Sequence, residues 1–125
     1  MTIKEAGINM ELEKTLKMNL LFSFYGALLT SKQRNYMSDY YEEDYTLAEI
    51  ADNHGVSRQA VYDSLKRTEE TLIEYENNLH LVEEFEHRRE VLNKIKQYLE
   101  ENYREDEQLN ALINEIIQDS IREEN

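Results

Sequence analysis

An apolar residue recurs at every fourth position in the first part of the chain. The stripe consists of Leu12, Leu16, Leu20, Phe24 and Leu28. This spacing is typical of one face of an α-helix, and neighbouring apolar residues widen it, so we expect the helix to be heavily buried. Residues 1–10 include Gly7, and we expect them to be loose. We therefore predict that residues 1–29 supply an N-terminal helix that packs on the core.

Two capping boxes mark the places where the next helices begin. In a capping box, a Ser or Thr side chain accepts a hydrogen bond from the backbone N–H three residues later, and a Glu or Gln there reaches back. Thr30 and Gln33 form the first pair, and Thr46 and Glu49 form the second. The pattern therefore predicts one helix after Thr30 and a second, short helix after Thr46.

A glycine turn joins this short helix to the next one. Gly55 suits the left-handed backbone that other residues adopt at an energetic cost, and Ser57 is a favourable N-cap. We expect four apolar residues to hold the two helices and the turn together: Ile50, Ala51, Val56 and Val61. A short helix, a turn and a second helix constitute a helix-turn-helix, which we assign to residues 30–68.

A heptad-like seam continues from the second helix of this motif. Its members alternate between spacings of four and three residues: Val61, Leu65, Thr68, Leu72, Tyr75, Leu79 and Val82. The register then slips by one residue, and apolar positions continue to Leu99. This pattern predicts one long helix over residues 57–100. Two interpretations stay open: the seam packs on the N-terminal and C-terminal helices of the same chain, or it pairs with a second copy in a homodimer.

A last amphipathic helix is predicted over residues 107–122. The chain has 125 residues, no proline and three glycines, so little interrupts its helices, and we predict an all-α fold and one domain overall. The lack of cysteine excludes a disulfide scaffold, a thiolate metal site and a cysteine nucleophile. No apolar stretch reaches the roughly 20 residues that span a bilayer. We therefore expect a cytoplasmic protein that does not enter membranes.

The second helix of the motif carries side chains that DNA-binding proteins use. This helix can lie in the major groove with its first turns facing base edges. Arg58 can bind guanine in bidentate fashion and Gln59 can bind adenine, whereas residues at helix N-termini can contact phosphates. The complete set of candidate nucleic-acid contacts is Thr46, Ser57, Arg58, Gln59, Tyr62, Lys66 and Arg67.

The charge of the chain argues for weak binding of nucleic acid. The formal net charge is −13, of which residues 69–125 carry −11 and residues 30–68 carry only −2. On the candidate recognition helix, three basic residues face the single acid Asp63. Nucleic-acid binders usually show a stronger basic footprint. The alternative interpretation is therefore a helix-turn-helix that only packs or that docks a protein.

Several positions between Leu47 and Arg67 share a signature with a known DNA-binding unit. They are Leu47, Glu49, Ile50, Ala51, Gly55, Val56, Ser57, Arg58, Val61, Leu65 and Arg67. Residues 30–68, which contain them, resemble region 4 of bacterial sigma factors, the part that reads promoter DNA. The motifs DYTLAEIA, VSRQAVYD and KRTE extend the likeness. Through them the run from Met18 to about Leu99 is similar to the YlxM family of small bacterial proteins.

These resemblances imply a fold and a function. The sigma-like unit implies a winged-helix-like three-helix core of the sigma region 4 type, with Arg58, Gln59, Tyr62 and Lys66 as contact residues. YlxM-like proteins are encoded beside genes for the signal recognition particle GTPase, which implies a regulator of that protein-targeting pathway. The sigma-like unit implies that this regulator binds DNA. The alternative is an interaction module that binds the particle's GTPase or its RNA. The tail beyond Glu100 lies outside the resemblance.

One cluster on the predicted long helix has the side chains of a metal site. His80, Glu83, Glu84 and His87 share a helical face. Carboxylate-bridged sites in helix bundles draw on several helices, however, and no second Glu-x-x-His occurs in the chain. We therefore expect no metal. The sequence also shows no nucleophile elbow, no glycine-rich phosphate loop and no pair of acids suited to catalysis, so we expect no cofactor and no enzymatic activity.

Overall fold

The described part of the chain is helical almost throughout. The structure is a computed structural model that describes the backbone of residues 3–123 and the side chains of residues 10–119. Its helices are α1 (Ile3–Tyr25), α2 (Ser31–Met37), α3 (Leu47–His54), α4 (Arg58–Leu79), α5 (Leu81–Asn102) and α6 (Glu107–Glu123). A 3-10 turn (Gly26–Leu28) follows α1, and a π-helical segment (Ser38–Glu42) follows α2. Residues 3–123 contain no strand, so the all-α class is confirmed.

Within that range of residues, no helix combines the length and the apolar character that crossing a membrane requires.

The core of the N-terminal half forms where α4 packs against α1, α2 and α3. From α4, the side chains of Val61, Leu65 and Leu72 are buried. The other elements contribute Met18, Leu21, Tyr25, Leu29, Tyr36, Met37, Ile50 and Ala51. The seam over residues 61–72 is therefore buried within this chain. This burial supports the interpretation in which the seam packs on its own chain and leaves little of this stretch for a second copy.

The N-terminal helix differs from its prediction in both its start and its buried face. The helix begins at Ile3, so the expectation that residues 1–10 are loose is wrong for that part of the backbone. Leu12 and Leu16, which we expected to be buried, are 56% and 60% exposed. The buried side chains include Leu21, Tyr25 and Leu29, which we expected to widen the stripe, and Met18, which we did not single out.

Helix geometry explains why the fourth-position stripe is not the buried face. Each residue turns an α-helix by about 100°, so a step of four residues drifts by about 40° and four such steps drift by about 160°. The stripe from Leu12 to Leu28 therefore winds round the helix. The residues Met18, Leu21 and Tyr25 are spaced three and four apart, which keeps them on one face.

Both predicted capping boxes are present. Thr30 Oγ1 accepts a hydrogen bond from the Gln33 N–H at 3.2 Å, and Thr46 Oγ1 accepts one from the Glu49 N–H at 3.1 Å. The Gln33 and Glu49 side chains accept from the cap N–H groups in return, at 3.0 Å and 3.3 Å. These contacts fix the first turns of α2 and α3, so the two predicted helix starts are confirmed.

The turn after α3 depends on the conformational freedom of Gly55, whose φ is 65°. An added Cβ would meet nothing within 4 Å, so Gly55→Ala should act through the backbone alone. We expect it to lower the free energy of unfolding by about 1 kcal/mol, because other residues pay about 1–2 kcal/mol in this conformation. Denaturant unfolding measures the loss. Gly26→Ala is the control: its φ is not positive and its Cβ would lie 3.4 Å from Phe22, so an equal loss there would contradict the explanation.

Two helices, α4 and α5, replace the single helix predicted over residues 57–100. His80 separates them with φ 57° and ψ 27°, in the left-handed region. The His80 carbonyl accepts a hydrogen bond from the Glu84 N–H, and its ring nitrogen Nδ1 lies 3.1 Å from the Glu83 carboxylate. His80 is therefore the N-cap of α5 and does not lie inside a helix. The prediction of one continuous helix is wrong at this position.

The interruption at His80 also divides the chain into two compact units. The first unit ends at Leu79 and the second begins at His80, so the prediction of one domain overall is wrong. The slip of the heptad register near Val82 is the only trace of this division in the sequence. Histidine is one of the residues that adopt the left-handed region more often than most others, but no turn signal accompanies it here.

The second unit consists of a helical hairpin made by α5 and α6. Residues 103–106 connect the two helices, and Asp106 Oδ1 caps α6 by accepting a hydrogen bond from the Leu109 N–H at 2.9 Å. Leu92 and Leu99 of α5 are buried. The bounds of α6, Glu107–Glu123, lie within one residue of the range predicted from the apolar pattern.

Candidate nucleic-acid interface

The helix-turn-helix is formed by α3, the turn at Gly55 and α4. Ile50 and Ala51 of α3 and Val61 of α4 are buried where the two helices pack together. The Val56 N–H donates to the Ala51 carbonyl at 3.1 Å, which closes the end of α3. Val56 itself is 37% exposed, so the expectation that its side chain plugs the turn is wrong. The other apolar contacts predicted for the motif are present.

Two predicted phosphate contacts, Thr46 and Ser57, are the N-caps of α3 and α4. Ser57 Oγ accepts from the Ala60 N–H at 3.0 Å, just as Thr46 Oγ1 accepts from the Glu49 N–H. A hydroxyl that accepts in this way keeps its own hydrogen for donation. Both side chains are exposed at helix N-termini, where the helix dipole attracts anions.

The remaining predicted contacts lie on the exposed side of the first three turns of α4. Arg58, Gln59, Tyr62, Lys66 and Arg67 are all exposed, and Tyr62 is 45% exposed despite its large ring. An exposed aromatic side chain flanked by basic side chains suits contact with nucleic acid. The structure therefore places these five residues on one helix with their side chains exposed to solvent.

Asp63 lies in the middle of this surface and accepts hydrogen bonds from Gln59 and Arg67. The Gln59 side-chain amide donates to Asp63 Oδ1 at 3.0 Å. The Arg67 Nε–H donates to the Asp63 backbone carbonyl at 3.4 Å. The Lys66 ammonium lies 6.0 Å from the centre of the Tyr62 ring, on its face. Contacts along the helix thus already orient most of the predicted DNA-binding side chains.

Sequence reasoning missed a basic residue that borders this surface. Lys32, in the first turn of α2, lines a depression of about 370 Å³ together with Asp63 and Arg67 of α4. The Lys32 ammonium also lies 5.7 Å from the centre of the Tyr36 ring. The only signal in the sequence is that Lys32 follows the capping residue Thr30, which fixes the start of α2. The packing of α2 against α4 brings Lys32 to the interface.

The fold and this surface define an all-α helix-turn-helix protein. A family model described as "Putative helix-turn-helix protein, YlxM / p13 like" matches residues 12–118. The UPF0122 protein YlxM of Bacillus subtilis (strain 168) is 54% identical over 104 residues, which are 83% of this chain and 94% of that protein. A UPF0122 protein of Limosilactobacillus reuteri is 50% identical over 115 residues, which are 92% of this chain and 100% of the relative. The chain therefore belongs to the YlxM/p13-like family.

Membership of this family confirms the resemblance to YlxM proteins and extends it along the chain. The matched range ends at residue 118, so the expectation that the tail beyond Glu100 lies outside the family is wrong. The family is described as one of helix-turn-helix proteins and not as an enzyme family.

Proposed function

We propose that this protein binds duplex DNA with α4 as its recognition helix. The exposed first turns of α4 carry the proposal, since they present Arg58, Gln59 and Tyr62 directly after the turn at Gly55. Helix-turn-helix proteins place this helix in the major groove with its N-terminal residues at base edges. The helix-turn-helix description of the family supports the same conclusion.

Residues along α4 divide into base contacts and phosphate contacts by their position. Arg58 and Gln59 belong to the first turn, so we assign them to guanine and adenine edges respectively. Lys66 and Arg67 follow two turns later, where the groove rises towards the backbone, and we assign them to phosphates. Thr46 and Ser57 donate their hydroxyl hydrogens to phosphates beside the helix N-termini.

Gln59 must leave Asp63 before it can read a base. Their exposed pairing across one turn stabilises the helix by only about 0.2–0.5 kcal/mol, so the release costs little. The Asp63 carboxylate then either accepts from a cytosine amino group or repels a phosphate. Arg58 needs no such release from Asp63. Among the base contacts, we therefore expect its substitution to reduce DNA binding most.

The binding should be weak and sensitive to salt. Three cations on α4 face one acid, and each phosphate contact adds a slope of about 0.9 to the logarithmic dependence of affinity on salt. With the two cationic phosphate contacts assigned to Lys66 and Arg67, affinity falls roughly 12-fold between 50 mM and 200 mM salt. The acidic remainder of the chain further opposes binding at long range.

Capture of sheared bacterial genomic duplex on the purified protein tests this function. We expect enrichment of a defined site at low salt, and Arg58→Ala should reduce capture of that site by about 5- to 150-fold, since a bidentate base contact is worth about 1–3 kcal/mol. Arg104→Ala is the matched control, because it removes the same charge from an exposed position in the second unit. Enrichment that is absent, or equal in the three proteins, would overturn the proposal.

We further propose that this DNA binding regulates the signal recognition particle pathway from the cytoplasm. Support for the pathway comes from the resemblance to the YlxM family alone. The alternative is that the protein binds the particle's GTPase or its RNA without DNA. In that case the purified protein should retain one of these components, and Arg58→Ala and Gln59→Ala should leave that binding intact. A homodimer would present two recognition helices about 34 Å apart, matched to a two-fold operator.

A further inference from the structure

A cleft of about 410 Å³ lies between α1, the π-helical segment and α4. Its volume is within the range of small-molecule sites, which is about 300–1,000 Å³. Three tyrosines, Tyr40, Tyr41 and Tyr62, line it together with the carboxylate of Glu69. All of these residues belong to the first unit. The π-helical segment that supplies two of the tyrosines is a form of helix found frequently at functional sites.

The carboxylate of Glu69 is the most deeply placed charge in this cleft. Its side chain is only 12% exposed. The Tyr41 hydroxyl donates to Glu69 Oε1 at 2.5 Å, and the Lys14 ammonium lies 3.7 Å from Oε2. The Lys14 side chain is 57% exposed, and an ion pair with an exposed lysine contributes about 0–1 kcal/mol. A ligand cation can therefore replace Lys14 at Oε2 at little cost.

The tyrosines provide the walls that an organic cation requires. The rings of Tyr40 and Tyr41 meet edge to face with their centres 4.9 Å apart. The Tyr62 ring already has a cation on its face, since the Lys66 ammonium lies 6.0 Å from the ring centre. Aromatic faces attract ammonium and guanidinium groups, and a neighbouring carboxylate adds the opposite charge.

Two other ligand chemistries fit the cleft less well. An anion would approach the carboxylate of Glu69, whereas the two lysines that could attract it, Lys14 and Lys66, are exposed. A metal ion would need several hard ligands, and no group of three His, Asp or Glu side chains suited to a metal occurs among the described residues. A deeply placed carboxylate with aromatic side chains around it points to an organic cation.

We propose that this cleft binds an organic cation, a guanidinium or primary ammonium group on a short apolar chain, with Glu69 as the counter-charge. Tyr62 and Lys66 belong to both the cleft and the proposed DNA surface. A ligand in the cleft would therefore compete with DNA for these two side chains. This consequence rests on the proposed function, whereas the cation site itself does not.

A titration of the full chain with butylguanidinium, followed by the NMR signals of the tyrosine rings and without DNA, tests the site. We expect a saturable shift of the Tyr41 and Tyr62 signals. Butylurea has nearly the same shape without the charge, and pentanoate carries the opposite charge, so both should bind at least tenfold more weakly. Equal binding of butylurea or pentanoate, or no saturable shift with butylguanidinium, would overturn the proposal.

Glu69→Gln tests the assigned counter-charge directly. Glutamine keeps an acceptor for the Tyr41 hydroxyl and removes the charge, so we expect at least a tenfold loss of butylguanidinium affinity. Glu70→Gln is the matched control, because it makes the same change at the next, exposed residue and should leave binding unchanged. Unaltered binding by Glu69→Gln, or an equal loss in both variants, would reject Glu69 as the counter-charge. If Glu69→Gln does not fold, the comparison of the three ligands on the unaltered chain still decides the proposal.

Discussion

Leu21→Ala should lower the free energy of unfolding by about 2–5 kcal/mol. The Leu21 side chain is only 1% exposed and lies on the face of α1 that forms the core. Truncation removes buried methyl groups and leaves a cavity that the packed helices around it fill only in part. Thermal or denaturant unfolding of the variant, compared with the unaltered chain, measures the loss.

Leu16→Ala is the matched control for this prediction. Leu16 lies on the same helix but is 60% exposed, so we expect its truncation to change the free energy of unfolding by no more than about 0.5 kcal/mol. The apolar pattern in the sequence predicts that Leu16 is buried as well as Leu21. A loss for Leu16→Ala as large as that for Leu21→Ala would show that Leu16 also belongs to the buried face of α1.

The sequence identifies features that depend on neighbouring residues. The capping boxes at Thr30 and Thr46 and the left-handed turn at Gly55 each involve residues no more than four apart, and all three are present. Their hydrogen bonds and backbone geometry are complete within about one turn of helix, so they depend little on distant contacts. The helix-turn-helix could be predicted for the same reason.

Features that depend on distant packing could not be predicted. The buried face of α1 is set by the α4 residues that it meets, and two apolar faces compete for that role in the sequence. The break at His80 places a residue in the left-handed region without a glycine or proline to announce it. The left-handed backbone at His80 costs about 1–2 kcal/mol, which the packing of the helices on each side offsets. This packing involves distant residues, so no local sequence pattern indicates it.

The two candidate sites also differ in how far the sequence could predict them. The contact residues of α4 follow one another on one helix, so spacing alone brings Arg58, Gln59 and Tyr62 to one surface. The cleft joins Lys14, Tyr41 and Glu69 from three separate elements. Tyr41 and Glu69 are 28 residues apart, and their hydrogen bond exists only because the π-helical segment packs close to α4. Nothing in the spacing of these residues predicts the pair.

Tyr41→Phe should lower the free energy of unfolding by about 1.5–3 kcal/mol at pH 7. The variant keeps the ring and removes the hydroxyl that donates to the carboxylate of Glu69. Hydrogen bonds to charged groups are worth about this much, and the largely buried carboxylate would lose its short donor. Tyr40→Phe is the matched control at the neighbouring position, where the residue is 39% exposed, and we expect it to change stability by less than about 0.5 kcal/mol.

The contribution of the Tyr41 hydroxyl to the free energy of unfolding should fall at high pH. Burial, and then the hydrogen bond and negative charge of Glu69, raise the pKa of Tyr41 above its ordinary value of about 10. In the unfolded chain Tyr41 loses its proton near pH 10, whereas the folded chain holds it to higher pH. The stabilisation is therefore complete below pH 10 and is lost as the pH rises from there towards the folded-state pKa.

Unfolding curves of the unaltered chain and of Tyr41→Phe, measured between pH 7 and pH 11, test this dependence. The difference in free energy of unfolding between them should stay constant up to about pH 9 and shrink above pH 10. A difference that stays the same at pH 11, or that grows, would show that the hydroxyl of Tyr41 does not keep its proton through contact with Glu69. Because the two proteins share every other tyrosine and lysine, the remaining titrations cancel in this comparison.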